Sequence, residues 1–245
     1  MPTFNDLRIA YDRGQTEDVL STLNATVIDL ATDEGKSLST LKGWCHYRRK
    51  EYDKAHDSAI AAGNFPWARE LMAYLYAYAP GYVNDEGLKQ IAEELGSSNV
   101  SVANAFVIRA RAEDCSLLTA EDVTALTDNF KAEKSIHVAN LMHNAGRYFL
   151  AKRERAYHLR AAQYLEFALD RYGTDANFHH RAAANFWKSQ AWEKIGDMEK
   201  TIEAMEESVR LWDEQRKLDP TNKAFAQSGD NAKKRLEELK AKAGA

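Results

Sequence analysis

The sequence predicts an all-α protein built from short-linked helical hairpins. Only 4 prolines and 12 glycines punctuate 245 residues, which favours long helices over many short strands. Apolar residues return at helical spacing along the whole chain, as in Leu71, Tyr74, Leu75 and Tyr78. No segment shows sustained apolar–polar alternation between turn dipeptides, so no sheet is expected.

In order, helices are expected over 3–13, 16–30, 36–49, 51–63, 66–79, 84–96, 99–113 and 119–130. The series continues over 133–152, 154–172, 175–195, 198–218 and 221–242. The joints hold breakers or caps: Arg13-Gly14, Asp33-Glu34-Gly35, Pro80-Gly81, Gly96-Ser97-Ser98, Gly173-Thr174-Asp175, Gly196-Asp197 and Asp219-Pro220. Thr119 precedes Asp122 by three residues, a capping-box variant that opens a helix.

Composition narrows the function classes. With 44% hydrophobic residues the chain can bury a sizeable core. Lys plus Arg number 33 against 37 Asp plus Glu, and a net charge of −4 gives no support for nucleic-acid or anionic-membrane binding. Cys45 and Cys115 lie far apart, form no CxxC, and are expected to be buried thiols in a reducing compartment. The start, MPTFNDLRIAYDRG, lacks a signal-peptide core, and the most apolar run, LMAYLYAYAP, is about half what a bilayer crossing needs. A cytoplasmic protein is expected.

The stretch from Trp187 to Trp212 reads as two helices hinged at Gly196-Asp197, and similar stretches recur. Gly43-Trp44-Cys45-His46-Tyr47 leads to Tyr52, Ala55, Ala59 and Ala62; Leu71, Tyr74, Leu75 and Tyr78 lead to Gly87, Leu88, Ile91 and Leu95. Val19 to Ala55 spans 36 positions (55 − 19) and Ala55 to Gly87 spans 32 (87 − 55). This resembles the tetratricopeptide repeat, whose unit of about 34 residues packs two antiparallel helices. In such a unit a small residue, here Gly43 or Ser189, lets the helices approach, and an aromatic such as Trp192 or Tyr78 fills the gap to the next unit. The likeness covers most of the chain and is weakest over 97–160. It departs from the family pattern where Ser39 and Asn185 hold the Trp slot and Asp213 stands for the terminal Pro, with Pro220 arriving 7 residues later (220 − 213).

The resemblance implies a right-handed α-solenoid of about six hairpins forming one domain over 1–245, closed by a capping helix at 221–242 with Leu236 and Leu239 on its apolar stripe. It also implies a non-enzymatic scaffold that takes a peptide or helix in a concave groove lined by first helices. Projected onto this chain, the lining residues are Arg8, Tyr11, Trp44, Tyr47, Arg48, Arg69, Met72 and Tyr76, followed by Asn140, His143, Arg147, Phe186, Gln190 and Glu193. Arg8, Trp44, Arg48, Arg69, Tyr76 and Arg147 include four arginines and no acid, so the expected partner is an acidic protein segment with an apolar or aromatic anchor. Asn144 and Arg147 only partly echo the family's carboxylate clamp. No nucleic acid, membrane or cofactor is expected, and the protein is expected as a monomer or homodimer.

Other chemistry has weaker footing. His179 and His180 are successive and point about 100° apart on a helix, so they are not expected to share a metal. Asp53 with His56, and Glu133 with His137, share helix faces as isolated pairs. GxGxxG, GxxxxGK[ST], HExxH and GxSxG are absent. In the run Met72 to Tyr78, Tyr74 and Tyr78 are expected in the core and Tyr76 on another, more exposed face. Arg147, Lys152, Arg153, Arg155 and Arg160 form a basic cluster expected to be a solvated face. The alternatives are a helical metal-dependent enzyme using His143, His158 and His179, or a regulatory or oligomerisation subunit.

Overall fold

The computed structural model describes residues 2–12, 14–79, 81–95, 99–112, 118–173 and 178–244. These form thirteen helices and no strand: α1 (Phe4–Asp12), α2 (Thr16–Ala25), α3 (Asp33–Arg48), α4 (Tyr52–Ala61), α5 (Pro66–Tyr78), α6 (Asp85–Leu95) and α7 (Val100–Ala112). There follow α8 (Ala120–Asp128), α9 (Ile136–Ala151), α10 (Arg155–Tyr172), α11 (Phe178–Ile195), α12 (Met198–Leu218) and α13 (Lys223–Ala243). Each expected segment has its helix. The largest difference is α2, which stops at Ala25 rather than running to residue 30. Thr26, Val27 and Ile28 are β-branched, and Thr26 is already extended at φ −95° and ψ 133°.

Local chemistry sets the ends. Thr32 accepts from the Gly35 N–H at 3.0 Å, and Asp33 and Glu34 fill the first turn, so α3 starts earlier than apolar spacing alone suggests. Thr119 and Asp122 complete the expected capping box of α8. Gly196, at φ +93°, reverses the chain after α11, and Asp197 then caps α12 by accepting from the Lys200 N–H.

The chain divides into two compact units, Met1–Arg109 and Ala110–Ala245. In the first unit each helix from α1 to α6 packs on the next, and α1 also meets α3 while α3 meets α5. In the second, neighbours from α8 to α13 pack in sequence and α9 also meets α11. The α11–α12 pair is antiparallel. Ser189 donates to the Thr201 carbonyl and Ser208 to the Ala182 carbonyl, both at 2.8 Å, so positions rise on α11 as they fall on α12.

Three first helices carry a small residue where their partner crosses. A Cβ on Gly43 would lie 2.7 Å from Leu71 Cδ2 and 3.2 Å from the Ala55 carbonyl oxygen. One on Gly146 would lie 2.7 Å from Leu165 Cγ and 3.1 Å from the Ala161 carbonyl oxygen. Ser189 is fully buried at the equivalent place. Gly43 and Ser189 were expected there; Gly146, in the region of weakest likeness, was not.

The core of the first unit holds Leu23, Leu41, Leu71, Leu75, Leu88 and Ile91. In the second, Met205, Leu211 and Trp212 pack with Leu236 and Leu239 of α13. Cys45 is buried, which pushes its thiol up to about 11; Cys115 lies outside the described residues. Among the described residues no helix is long and apolar enough to cross a membrane.

Candidate functional site

In the first unit α1, α3 and α5 bring aromatic and arginine side chains onto one face. Phe4 meets Trp67 at 6.0 Å between ring centroids, and Trp67 lies nearly parallel to Trp44 at 6.4 Å. Trp44 meets Tyr74 at 5.1 Å and Tyr47 at 5.6 Å, and Tyr47 in turn meets Tyr78 at 6.3 Å. Tyr52 and Tyr82 extend the run from Tyr47 onto α4 and the turn before α6. The spacings and tilts are those of favourable edge-to-face and offset ring pairs. Most of these rings are half-buried, and Tyr78 is exposed.

Two arginines stack on this face. The Arg48 guanidinium sits 3.5 Å above the Tyr11 ring and donates to the Tyr11 carbonyl, while Arg8 lies 4.4 Å over Trp67. Arg8 also pairs with Asp12 at 3.2 Å, an exposed pair of little strength. Arg48 has no carboxylate partner among the described residues. Burial pushes the Tyr11 hydroxyl up to about 12 despite the nearby Arg48 charge, and burial among Tyr78, Tyr74 and Tyr52 raises Tyr47 further. Both hydroxyls remain protonated donors at neutral pH.

Arg8, Trp44, Tyr47 and Arg48 lie near one another, with Tyr11 buried beneath Arg48, but the expected α5 members do not join them. Met72 and Tyr76 are buried in the core, Tyr76 donating to Asp85 at 2.7 Å and meeting Phe106. Arg69 turns toward α6, where it donates to Glu94 at 3.0 Å. Trp67, Tyr74 and Tyr78 take their place, so the expectation of Tyr76 exposed and Tyr78 in the core is reversed. A shift of two positions turns a helical residue by about 200°, which carries it from the α3 side to the α6 side. The signal was present as Trp67, Leu71, Tyr74 and Tyr78, spaced four, three and four apart.

In the second unit Arg147 lies 4.5 Å over Trp187, repeating between α9 and α11 the cation-on-ring contact of the first unit. Phe186 lines a small cleft with Ala183, Trp187, Trp212, Ser228 and Asn231. Gln190 is half-buried on the same helix. Glu193 binds Arg235 at 2.6 Å and Lys242 at 3.3 Å, so it fastens α13 rather than facing a ligand. Partial burial pushes its carboxyl up, and the hydrogen bonds and charges of those two cations together outweigh this and hold it below the usual range.

Asn140, half-buried, and His143, buried, both reach Tyr172. The Tyr172 hydroxyl donates to Asn140 Oδ1 at 2.8 Å and lies 3.3 Å from His143 Nδ1. His180 stacks on Tyr172 at 5.3 Å, His179 lies beside His180 at 4.0 Å, and Phe225 stacks on His179 at 5.3 Å. The successive histidines, expected to diverge, are drawn together because Tyr172 and Phe225 clamp them from either side. Burial first, and then Arg147, His180 and Arg111, lowers His143 to about 3. Burial and His179 lower His180 to about 3. His158 is elsewhere, donating Nε2–H to the Lys152 carbonyl at 2.9 Å.

Among the described residues no group of three or more His, Cys, Asp or Glu side chains could hold a metal ion. Asp53 and His56 both engage Tyr82, and Glu133 accepts from Ser135. The basic cluster is split: Lys152 sits over Tyr148 and Arg160 over Phe149, leaving Arg153 and Arg155 exposed. The chain matches no family model, no curated protein and no solved structure.

Proposed function

We propose that the chain is a non-enzymatic interaction module, a tetratricopeptide-repeat-like array that docks an extended protein segment on the α1–α3–α5 face of its first unit. One observation carries this: six rings from Phe4 to Tyr78 form an unbroken, partly exposed run across three helices, with Arg8 stacked on Trp67 and Arg48 following Tyr47 in sequence and stacked on Tyr11. Aromatic rings and arginines supply large contact area and directed donors at low entropic cost, which suits them to anchor binding. The array itself is supported by the antiparallel α11–α12 pair, the small residues at the crossings, and the contacts of α1 with α3, α3 with α5 and α9 with α11. The segment carries an apolar or aromatic anchor for the rings and an acidic residue for Arg48. A cytoplasmic setting belongs to the same proposal, because Cys45 is a buried free thiol.

A titration followed by tryptophan fluorescence tests it, using a short acidic peptide with a central Phe. Saturable binding that weakens at least ~10-fold in Trp67→Ala and in Arg48→Ala is expected. Binding that both variants leave unchanged would place the site elsewhere.

A further inference from the structure

We infer that the segment docked on the α1–α3–α5 face is proline-rich and adopts the polyproline II conformation; this rests on the docking face proposed above. The inference comes from the hydrogen-bonding character of the face. The indole N–H of Trp67 and the hydroxyls of Tyr47 and Tyr52 make no hydrogen bond among the described residues and are not among the buried polar atoms, so they remain open to a ligand. The indole N–H of Trp44 is buried beneath them without any acceptor. Arg48 adds an exposed guanidinium. The carboxylates beside the run are engaged: Asp12 holds Arg8, Asp53 accepts from Tyr82, and Glu70 is likewise not free.

The face thus offers ring surface and N–H and O–H donors, and apart from the two Tyr hydroxyls, which can also accept, its acceptors are already engaged. An ordinary extended peptide brings a backbone N–H with every C=O, and each N–H pressed onto a ring would lose its water without gaining a partner. Each proline in a proline-rich segment has no N–H to strand. The segment presents carbonyls to the Tyr and Trp donors and pyrrolidine rings to the aromatic faces, and its conformation is set before binding. An acidic residue within it meets Arg48.

Three labelled peptides test this by fluorescence anisotropy: one repeating Asp-Pro-Pro, one repeating Asp-Ala-Ala, and the acidic peptide with a central Phe. The proline repeat is expected to bind at least ~10-fold more tightly than the alanine repeat. Tyr47→Phe and Trp67→Phe keep an aromatic ring but remove a donor, and each should weaken the proline repeat several-fold. Equal binding of the two repeats, or proline binding unaffected by both variants, would overturn the inference. If the Phe peptide binds and the proline repeat does not, the docking face stands and its proline preference falls. If none of the three binds, the docking face itself falls.

Discussion

Gly43 of α3 lies so close to Leu71 of α5 that an added Cβ would meet Leu71 Cδ2 at 2.7 Å, with Ser58 Cβ at 3.1 Å on the other side. The same glycine therefore sets the approach of α4 and of α5. Gly43→Leu should cost about 1–3 kcal/mol by overpacking, read as a lower urea midpoint. Gly146→Leu should cost a similar amount, because Leu165 and the Ala161 carbonyl crowd that site equally. A parental midpoint for either variant would show that the crossing is not tight.

The helices were legible in the sequence because breakers, caps and apolar spacing agree at most joints, and Gly43 and Ser189 lie at close helix crossings as their small size suggests. The face of α5 was not. Its tyrosines at 74, 76 and 78 alternate, and only the partners decide: Asp85 and Phe106 draw Tyr76 inward, while Trp44 and Tyr47 hold Tyr74 and Tyr78 on the ring run. The surroundings of His143 were not legible for a similar reason, since they depend on Tyr172, which stands 29 positions away.

The histidine column predicts acid lability of the second unit. His143 and His180 have folded values lowered to about 3, so the unfolded chain binds more protons as pH falls below about 6.5. Stability is unaffected above that value and declines from there toward pH 3, by about 2 kcal/mol per histidine at pH 5. The charged or titratable groups around His143 are Arg147, His180 and Arg111, and none can offset a new positive charge. Urea midpoints measured from pH 7.5 to 5 should fall, and His143→Gln should flatten the slope. Parallel profiles for the two proteins would remove His143 from this role.

Removal of α13 should expose Met205, Leu211 and Trp212, which pack with its Leu236, Leu239 and Ala232. A chain ending at Pro220 should melt lower and aggregate, because an uncapped array end exposes core. Glu193→Gln should be milder, about 1 kcal/mol or less, since its partners Arg235 and Lys242 remain partly solvated. A truncated protein that stays monomeric with an unchanged melting temperature would show that α13 is not a closing helix.

Binding and stability should separate along α5, because its two faces do different work. Tyr76→Phe removes the hydrogen bond to Asp85, made at 2.7 Å and partly buried, and should cost about 1 kcal/mol of stability. It should leave peptide affinity unchanged, since Tyr76 is buried away from the ring run. Trp67→Ala does the reverse. Trp67 is half-buried between Phe4, Trp44 and the Arg8 guanidinium, so its loss removes the ring that joins Phe4 to Trp44 and should weaken peptide binding by at least ~10-fold, or about 1.4 kcal/mol. Arg48 is exposed, so its contribution should be screened: affinity should fall with added salt in the parent and fall less in Arg48→Ala. Calorimetric titration of the four proteins at low and high salt, with urea unfolding of each, gives both readouts. Reduced affinity in Tyr76→Phe with parental affinity in Trp67→Ala would move the docking site to the α6 side of α5 and would restore Met72, Arg69 and Tyr76 as its lining.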